Sequence, residues 1–221
     1  MNDNATSHSA VEYDSGVVKT IPYYREFHPQ ALDLIRQKGD VKTVLDVGCG
    51  TGLFEAMLLK TFPEIRITAV DSSEQMLEKA KERISSEQIQ YLCRRAEEMD
   101  YEAAFDVVTA IQVHHYLHEE QREQATQNAY RALVPNGLYI SFENVIPEEE
   151  ALRAPELERW KRFQVRQGKT PEQAEAHAQR CGVNYFPISV EQHIALLRKT
   201  GFRLVYVFWK SYMQMGILGI K

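Results

Sequence analysis

Apolar positions along the chain switch between two spacings. Short β-branched runs alternate with stretches whose apolar residues fall three and four apart. The first run, 41–47 (VKTVLDV), is closed by glycines. Residues 53–61 read as a helix and 66–70 as a second strand. Residues 73–84 predict a helix capped by Ser73, with Met76, Leu77 and Ala80 on one face. A third strand is expected at 89–93. A fourth, at 105–111 (FDVVTAI), is apolar enough to be buried on both faces. A helix over 119–133 stops at Pro135, Asn136 and Gly137, and a fifth strand follows over 138–143. This order predicts a parallel sheet with helices on both faces.

The flanks break the pattern. Residues 1–16 are polar and read as mobile. A helix is expected after Pro22, with Phe27, Ala31, Leu34 and Ile35 at helical spacing. Residues 145–188 are rich in Glu, Arg, Gln and Ala, and far outrun the dozen or so residues that a crossover needs. They predict two or three helices, broken near 168–171 and at Gly182, inserted as a cap over the sheet. A last crossover helix spans 189–200 and ends at Gly201. Runs at 202–209 and 211–220 predict an antiparallel hairpin. The fold expected is therefore α/β and doubly wound. It is a Rossmann-like, mostly parallel seven-stranded sheet with a C-terminal antiparallel hairpin and a helical cap.

Composition narrows the class. The chain has 221 residues, with 44% hydrophobic and 26% charged, in the globular range. Its formal charge of −5 argues against a nucleic-acid partner. No apolar run approaches the roughly 20 residues of a membrane span. No apolar segment of a secretory signal opens the chain. Cys49, Cys93 and Cys181 are widely spaced and supply neither a disulfide framework nor a zinc ribbon. A cytoplasmic protein, monomer or homodimer, is expected.

The strongest chemical signal is VLDVGCGTG at 44–52, where a strand meets a helix. Glycines there let a ligand approach the backbone. The spacing is Gly48-x-Gly50-x-Gly52, not the dinucleotide G-x-G-x-x-G. Asp46 would repel a pyrophosphate and attract an ammonium group. Asp71, at the end of the second strand, can accept both hydroxyls of a ribose. Together these features select a nucleoside carrying an amino acid, S-adenosylmethionine, over NAD.

Here the sequence resembles the class I S-adenosylmethionine-dependent methyltransferases of small-molecule type. VLDVGCGTG and AVDSSEQML match the first two motifs of that family, and FDVVTAIQVHHYL and LVPNGLYISFEN resemble the two later ones. The resemblance implies a single domain, 1–221. Its parts are an N-terminal cover (1–40), a cofactor core (41–144), the cap (145–188) and the terminal helix and hairpin (189–221). It implies that Asp46, Gly48, Cys49 and Gly50 face the methionyl end, that Asp71 binds the ribose, and that Ser72 and Met76 line the adenine side. The family's Asp-Ala pair after strand three is Arg95-Ala96 here. Arginine cannot accept the adenine hydrogen bond, so the Ala96 backbone or Glu97 is expected to serve. Gln112 is expected to hold an end of the methionyl group. The segment KTIPYYREF resembles a cover in which a tyrosine reaches the cofactor, with Tyr24 chosen and Tyr23 second.

Two catalytic candidates stand apart in the sequence: His115, or its neighbour His114, as a general base, and Glu143, after the fifth strand, to orient or deprotonate an acceptor. His114 and His118 lie four apart, but no third ligand suggests a metal. Arg159, Arg162 and Arg166 share one helix face. The reading is methyl transfer to a small-molecule acceptor in a capped pocket. The alternatives are an RNA or protein methyltransferase, a non-catalytic nucleoside-binding module, and an enzyme that carboxylates the cofactor's methyl group. In the last case one of those arginines would hold the carboxylate.

Overall fold

The structure, a computed structural model, describes residues 5–221. One sheet of seven strands runs through it in the order β3-β2-β1-β4-β5-β7-β6. β1 (Thr43–Val47) lies between β2 (Arg66–Asp71) and β4 (Phe105–Ile111), and β3 (Ile89–Cys93) forms the edge. These strands and β5 (Leu133–Asn144) are parallel, while β7 (Gln214–Ile220) pairs antiparallel with β5 and with β6 (Leu204–Ser211). β1 and β4 are buried almost throughout, as apolar β-branched runs require between two helical layers.

The crossover helices are α3 (Leu53–Thr61), α4 (Glu74–Arg83), α5 (Glu119–Ala132) and α8 (Val190–Thr200). Two apolar clusters result, one on each face of the sheet. In one, Phe27 stacks on Phe142 with ring centroids 4.4 Å apart; the other gathers Leu45, Val108, Leu133 and Ile217.

Three boundaries differ from expectation. α1 (Tyr13–Thr20) is helical where a mobile segment was expected; residues 1–4 of that segment lie outside the described residues. Its polar sequence hides one buried edge, Val17 and Thr20. The Trp160 indole N–H donates to the Thr20 carbonyl at 2.7 Å. α2 (Tyr24–Lys38) follows as expected. β5 begins at Leu133 and absorbs Pro135, Asn136 and Gly137, with a register shift against β4 between Phe105 and Val107. The hairpin turns at Tyr212-Met213, two residues beyond the expected point, with Tyr212 at φ 50°.

The long insertion forms α6 (Glu150–Arg166) and α7 (Pro171–Ala178). Thr170 caps α7 reciprocally: the Gln173 amide donates to its hydroxyl at 3.2 Å, and its own amide donates to Gln173 Oε1 at 3.0 Å. α6 packs on both α7 and α1. Among the described residues no helix is long and apolar enough to cross a membrane.

Candidate active site

The sheet order reverses between β1 and β4, the place where open α/β sheets form a crevice at the strand C-termini. A cavity of about 490 Å³ opens there. Its floor is the glycine turn. Gly48 has φ 72°, and a Cβ on it would stand 2.3 Å from a Val113 methyl; Gly50 has φ 57° and open space where a Cβ would be. The turn thus offers bare backbone to a ligand.

Asp71 closes over this turn from the tip of β2. Its Oδ2 accepts from the Gly50 amide at 2.9 Å and its Oδ1 from the Ser73 amide at 2.9 Å. The cap of α4 is Ser73, whose hydroxyl accepts from Met76 N at 3.1 Å. Asp71, Ser72 and Met76 all line the cavity.

Arg95, Ala96 and Glu97 line the far end. Arg95 Nε donates to Glu97 Oε1 at 2.7 Å, and Gln121 Nε2 donates to the same oxygen at 3.0 Å. Glu97 Oε2 is buried with no hydrogen-bond partner. A buried acceptor left open is costly, and an exocyclic amine in the cavity would satisfy it.

Gln112 lines the near end in a left-handed conformation, φ 62°, with its amide and Nε2 both donating to the Phe142 carbonyl at 2.7 and 3.2 Å. Past Gly48, Gly50 and Tyr13 lies a recess of about 20 Å³ lined by Asp46, Cys49, Tyr24 and His28. Asp46 is buried, accepts from the Thr109 hydroxyl, and is pushed up to about 6 by burial. Burial also raises the Cys49 thiol, which fills space as a protonated group, and the Tyr24 phenol. Tyr23 is 55% exposed and faces Tyr212.

A second small chamber, also about 20 Å³, lies beyond Tyr13, Gln112 and Tyr116, with Asn144, His177, Arg180 and Tyr185 in its walls. The Tyr185 hydroxyl is buried with no nitrogen or oxygen partner. Arg180 donates to the Ala5 carbonyl at 2.7 Å. Nearby Lys169 is lowered to about 8 by burial and by the Arg180 charge.

His115 and Glu143 do meet: His115 Nδ1 lies 2.7 Å from Glu143 Oε2, and both are fully buried. Burial opposes the Glu143 charge, but the His115 hydrogen bond and charge bring its pKa down to about 2. Its oxygens also accept from the amides of His114 and His115 and from the Ser141 hydroxyl. Neither residue is among those lining the cavity or the chamber. The pair fastens the turn after β4 whose Val113, Tyr116 and Leu117 form the cavity wall.

The expected arginines turn elsewhere. Arg159 sits 4.2 Å over the Tyr212 ring, Arg166 donates to the Tyr212 hydroxyl at 3.0 Å, and Arg162 faces an outer groove beside Glu158 and Pro171. Sequence reasoning missed Tyr13, Tyr116 and Arg180. Tyr116 sat inside the quoted strand-four motif; Tyr13 and Arg180 carry no local pattern. Among the described residues no group of three His, Cys, Asp or Glu side chains is placed to hold a metal ion.

Such a crevice, with acids at the tips of β1 and β2 and a terminal antiparallel hairpin, defines a Rossmann-like methyltransferase fold. Residues 44–137 match the model of the methyltransferase domain family. The chain is 26% identical over 215 residues to the carboxy-S-adenosyl-L-methionine synthase of Trichodesmium erythraeum, covering 95% of this chain and 85% of that one. It is 27% identical over 217 residues to the synthase of the same name from Helicobacter hepaticus, covering 95% and 90%. In structure it resembles the N-methyltransferase NodS of Bradyrhizobium japonicum in complex with S-adenosyl-L-homocysteine. That likeness has a TM-score of 0.61, 20% identity, and coverage of 90% of this chain and 88% of that one.

Proposed function

We propose that the chain binds S-adenosylmethionine along this crevice and transfers its methyl group to a small-molecule acceptor held in the chamber beyond Tyr13, Gln112 and Tyr116. The observation that carries the reading is that the two spaces adjoin. The same three side chains line both the 490 Å³ cavity and the chamber, so they stand where donor and acceptor would meet. The cofactor supplies a sulfonium methyl whose leaving group is a neutral thioether.

The chain's own residues then have four tasks. Asp71 accepts the ribose hydroxyls while its amide bonds hold the glycine turn. Glu97, with its open Oε2, accepts the adenine amine in place of the acid that Arg95 replaces. Asp46, Gly48 and Gly50 hold the amino-acid end in the recess, with Tyr24 and Cys49 behind it. α1, α6 and α7 cover the acceptor and exclude water, and alignment of donor and acceptor supplies the rate. His115 and Glu143 act by keeping the wall residue Tyr116 in place. Three free thiols suit a reducing, cytoplasmic setting.

A second reading is favoured by the named relatives: the product is a carboxylated form of the cofactor. The arginine at the chamber for that role is Arg180, not Arg159, Arg162 or Arg166. One experiment separates the readings. The protein is incubated with S-adenosylmethionine and a panel of small acids, amines and phenols, and the nucleosides are weighed by mass spectrometry. S-adenosylhomocysteine with a methylated acceptor supports the first reading, and carboxy-S-adenosylmethionine supports the second. Cofactor bound without either product would overturn both in favour of a non-catalytic module.

A further inference from the structure

The glycine turn conceals a residue that none of the motifs assigned. Glu55, in the first turn of α3, is fully buried, and neither of its carboxylate oxygens has a donor. Its carboxyl faces that of Asp46, and burial together with the Asp46 charge holds it well above the usual carboxylate range. Two carboxylates buried together without a cation are accommodated by holding a proton between them. Asp46 borders the recess, which adjoins the main cavity at Gly48 and Gly50.

Among the described residues no Lys or Arg pairs with either acid. The ionisable groups around the pair are Asp71 from β2, Cys49 from the turn, Tyr24 from α2 and Tyr91 from β3, all acids. His28, in the recess wall, is lowered to about 4 by burial and is neutral. Thr109 donates to Asp46 but carries no charge. The site thus contains two buried acids and room for one positive charge, a proton or a ligand's ammonium group.

We propose that Glu55 is a positioning residue that shares one proton with Asp46, and that an ammonium group entering the recess expels it. This rests on the cofactor reading above, since the ammonium is the amino-acid end of S-adenosylmethionine. Cofactor binding then releases a proton. Affinity rises with pH while the empty pair is protonated and levels off once that proton is lost. Burial, with the Asp71 charge, holds Asp46 protonated up to about 6, and burial with the Asp46 charge holds Glu55 well above its ordinary value. The ligand's own α-amino group, with a pKa of about 8, stays charged through this range.

The test is titration calorimetry of S-adenosylhomocysteine between pH 5 and 7, in buffers of different ionisation heat. The expected result is release of up to one proton, with affinity rising up to about tenfold per pH unit at the acid end. In Glu55→Gln, which keeps the shape and can donate to Asp46, the release and the slope are expected to vanish while binding persists. Binding by the unaltered chain with no proton release overturns the proposal, as does an undiminished slope in Glu55→Gln. A chain that binds no S-adenosylhomocysteine at any pH overturns the cofactor reading instead.

Discussion

The two ends of the crevice are built differently. The cofactor end is made of strand tips: Asp46, Gly48, Asp71 and Gln112 lie at or just past β1, β2 and β4, fixed by the parallel ladder between them. The proposed acceptor end is assembled from segments far apart in sequence: Tyr13 on α1, Tyr116 after β4, and Arg180 and Tyr185 after α7. These segments are joined by side-chain and loop contacts and not by a strand ladder. The indole bond from Trp160 to Thr20 ties α6 to α1, and the Phe186 amide donates to the His115 carbonyl at 2.6 Å. A proposed donor site fixed by the strand ladder therefore faces a proposed acceptor site held by tertiary contacts alone.

The largest effect expected is at that tie. Trp160→Ala removes a fully buried side chain and should cost about 3–5 kcal/mol. Hydrogen exchange checks where the loss falls. α1, α6 and α7 should lose protection while β1, β2 and β4 keep theirs. Uniform loss across the sheet would show that the two ends are one cooperative unit.

Next is Asp71→Ala, which strips the glycine turn of its tether at Gly50 and the ribose of its acceptor. Affinity for S-adenosylhomocysteine should fall about 100-fold, since charge-assisted hydrogen bonds are worth about 1.5–3 kcal/mol each. Arg180→Met, at the other end, should leave that affinity within about twofold, because 1.4 kcal/mol is needed for even a tenfold change and no cofactor contact is lost. Calorimetry on both variants measures the contrast directly.

The same division explains what the sequence made legible. The motif 44–52 and the strand pattern around it are local signals, because one glycine turn and one strand tip specify their own geometry. Asp71, Ser72 and Met76 followed from them and do line the cavity. The acceptor end had no such signal. α1 is polar along most of its length and is stabilised by tertiary contacts at Val17 and Thr20, so periodicity understated it. Arg159, Arg162 and Arg166 do share a helix side, but Tyr212 engages two of them on the outer surface. Arg180 comes from the irregular segment after α7, where no repeat marks a functional face.

The buried acids give a third contrast, this time in stability. In the folded chain Asp46 holds its proton up to about 6, and Glu55 is raised well above the usual carboxylate range. In the unfolded chain both ionise near pH 4. The native state therefore binds more protons between these values, and stability falls as pH rises through them. Glu55→Gln should be more stable than the unaltered chain at pH 8 and nearly equal to it at pH 4. Urea unfolding at the two pH values measures this. A constant difference would mean that the pair does not share a proton.

The smallest effect tests how the proposed acceptor end is joined to the cofactor end. Asp14 on α1 accepts from the Thr51 hydroxyl at 2.7 Å and pairs with Arg83 of α4, which also donates to the Thr51 carbonyl at 2.8 Å. This cluster pins α1, and with it Tyr13, to the glycine turn. The ion pair is partly exposed, with about a third of each side chain accessible, so water and salt screen it. Asp14→Ala should cost no more than about 1 kcal/mol, a fall in Tm of roughly 2–4 °C. Its kinetic effect should be easier to see. With Tyr13 less firmly held, release of S-adenosylhomocysteine should quicken about threefold while the association rate holds, because affinity changes reside mainly in dissociation. Raising the salt concentration should quicken release from the unaltered chain but not from Asp14→Ala. Equal salt sensitivity in both would place the fastening of α1 in the Trp160 contact alone, and would make the cover one rigid piece with α6.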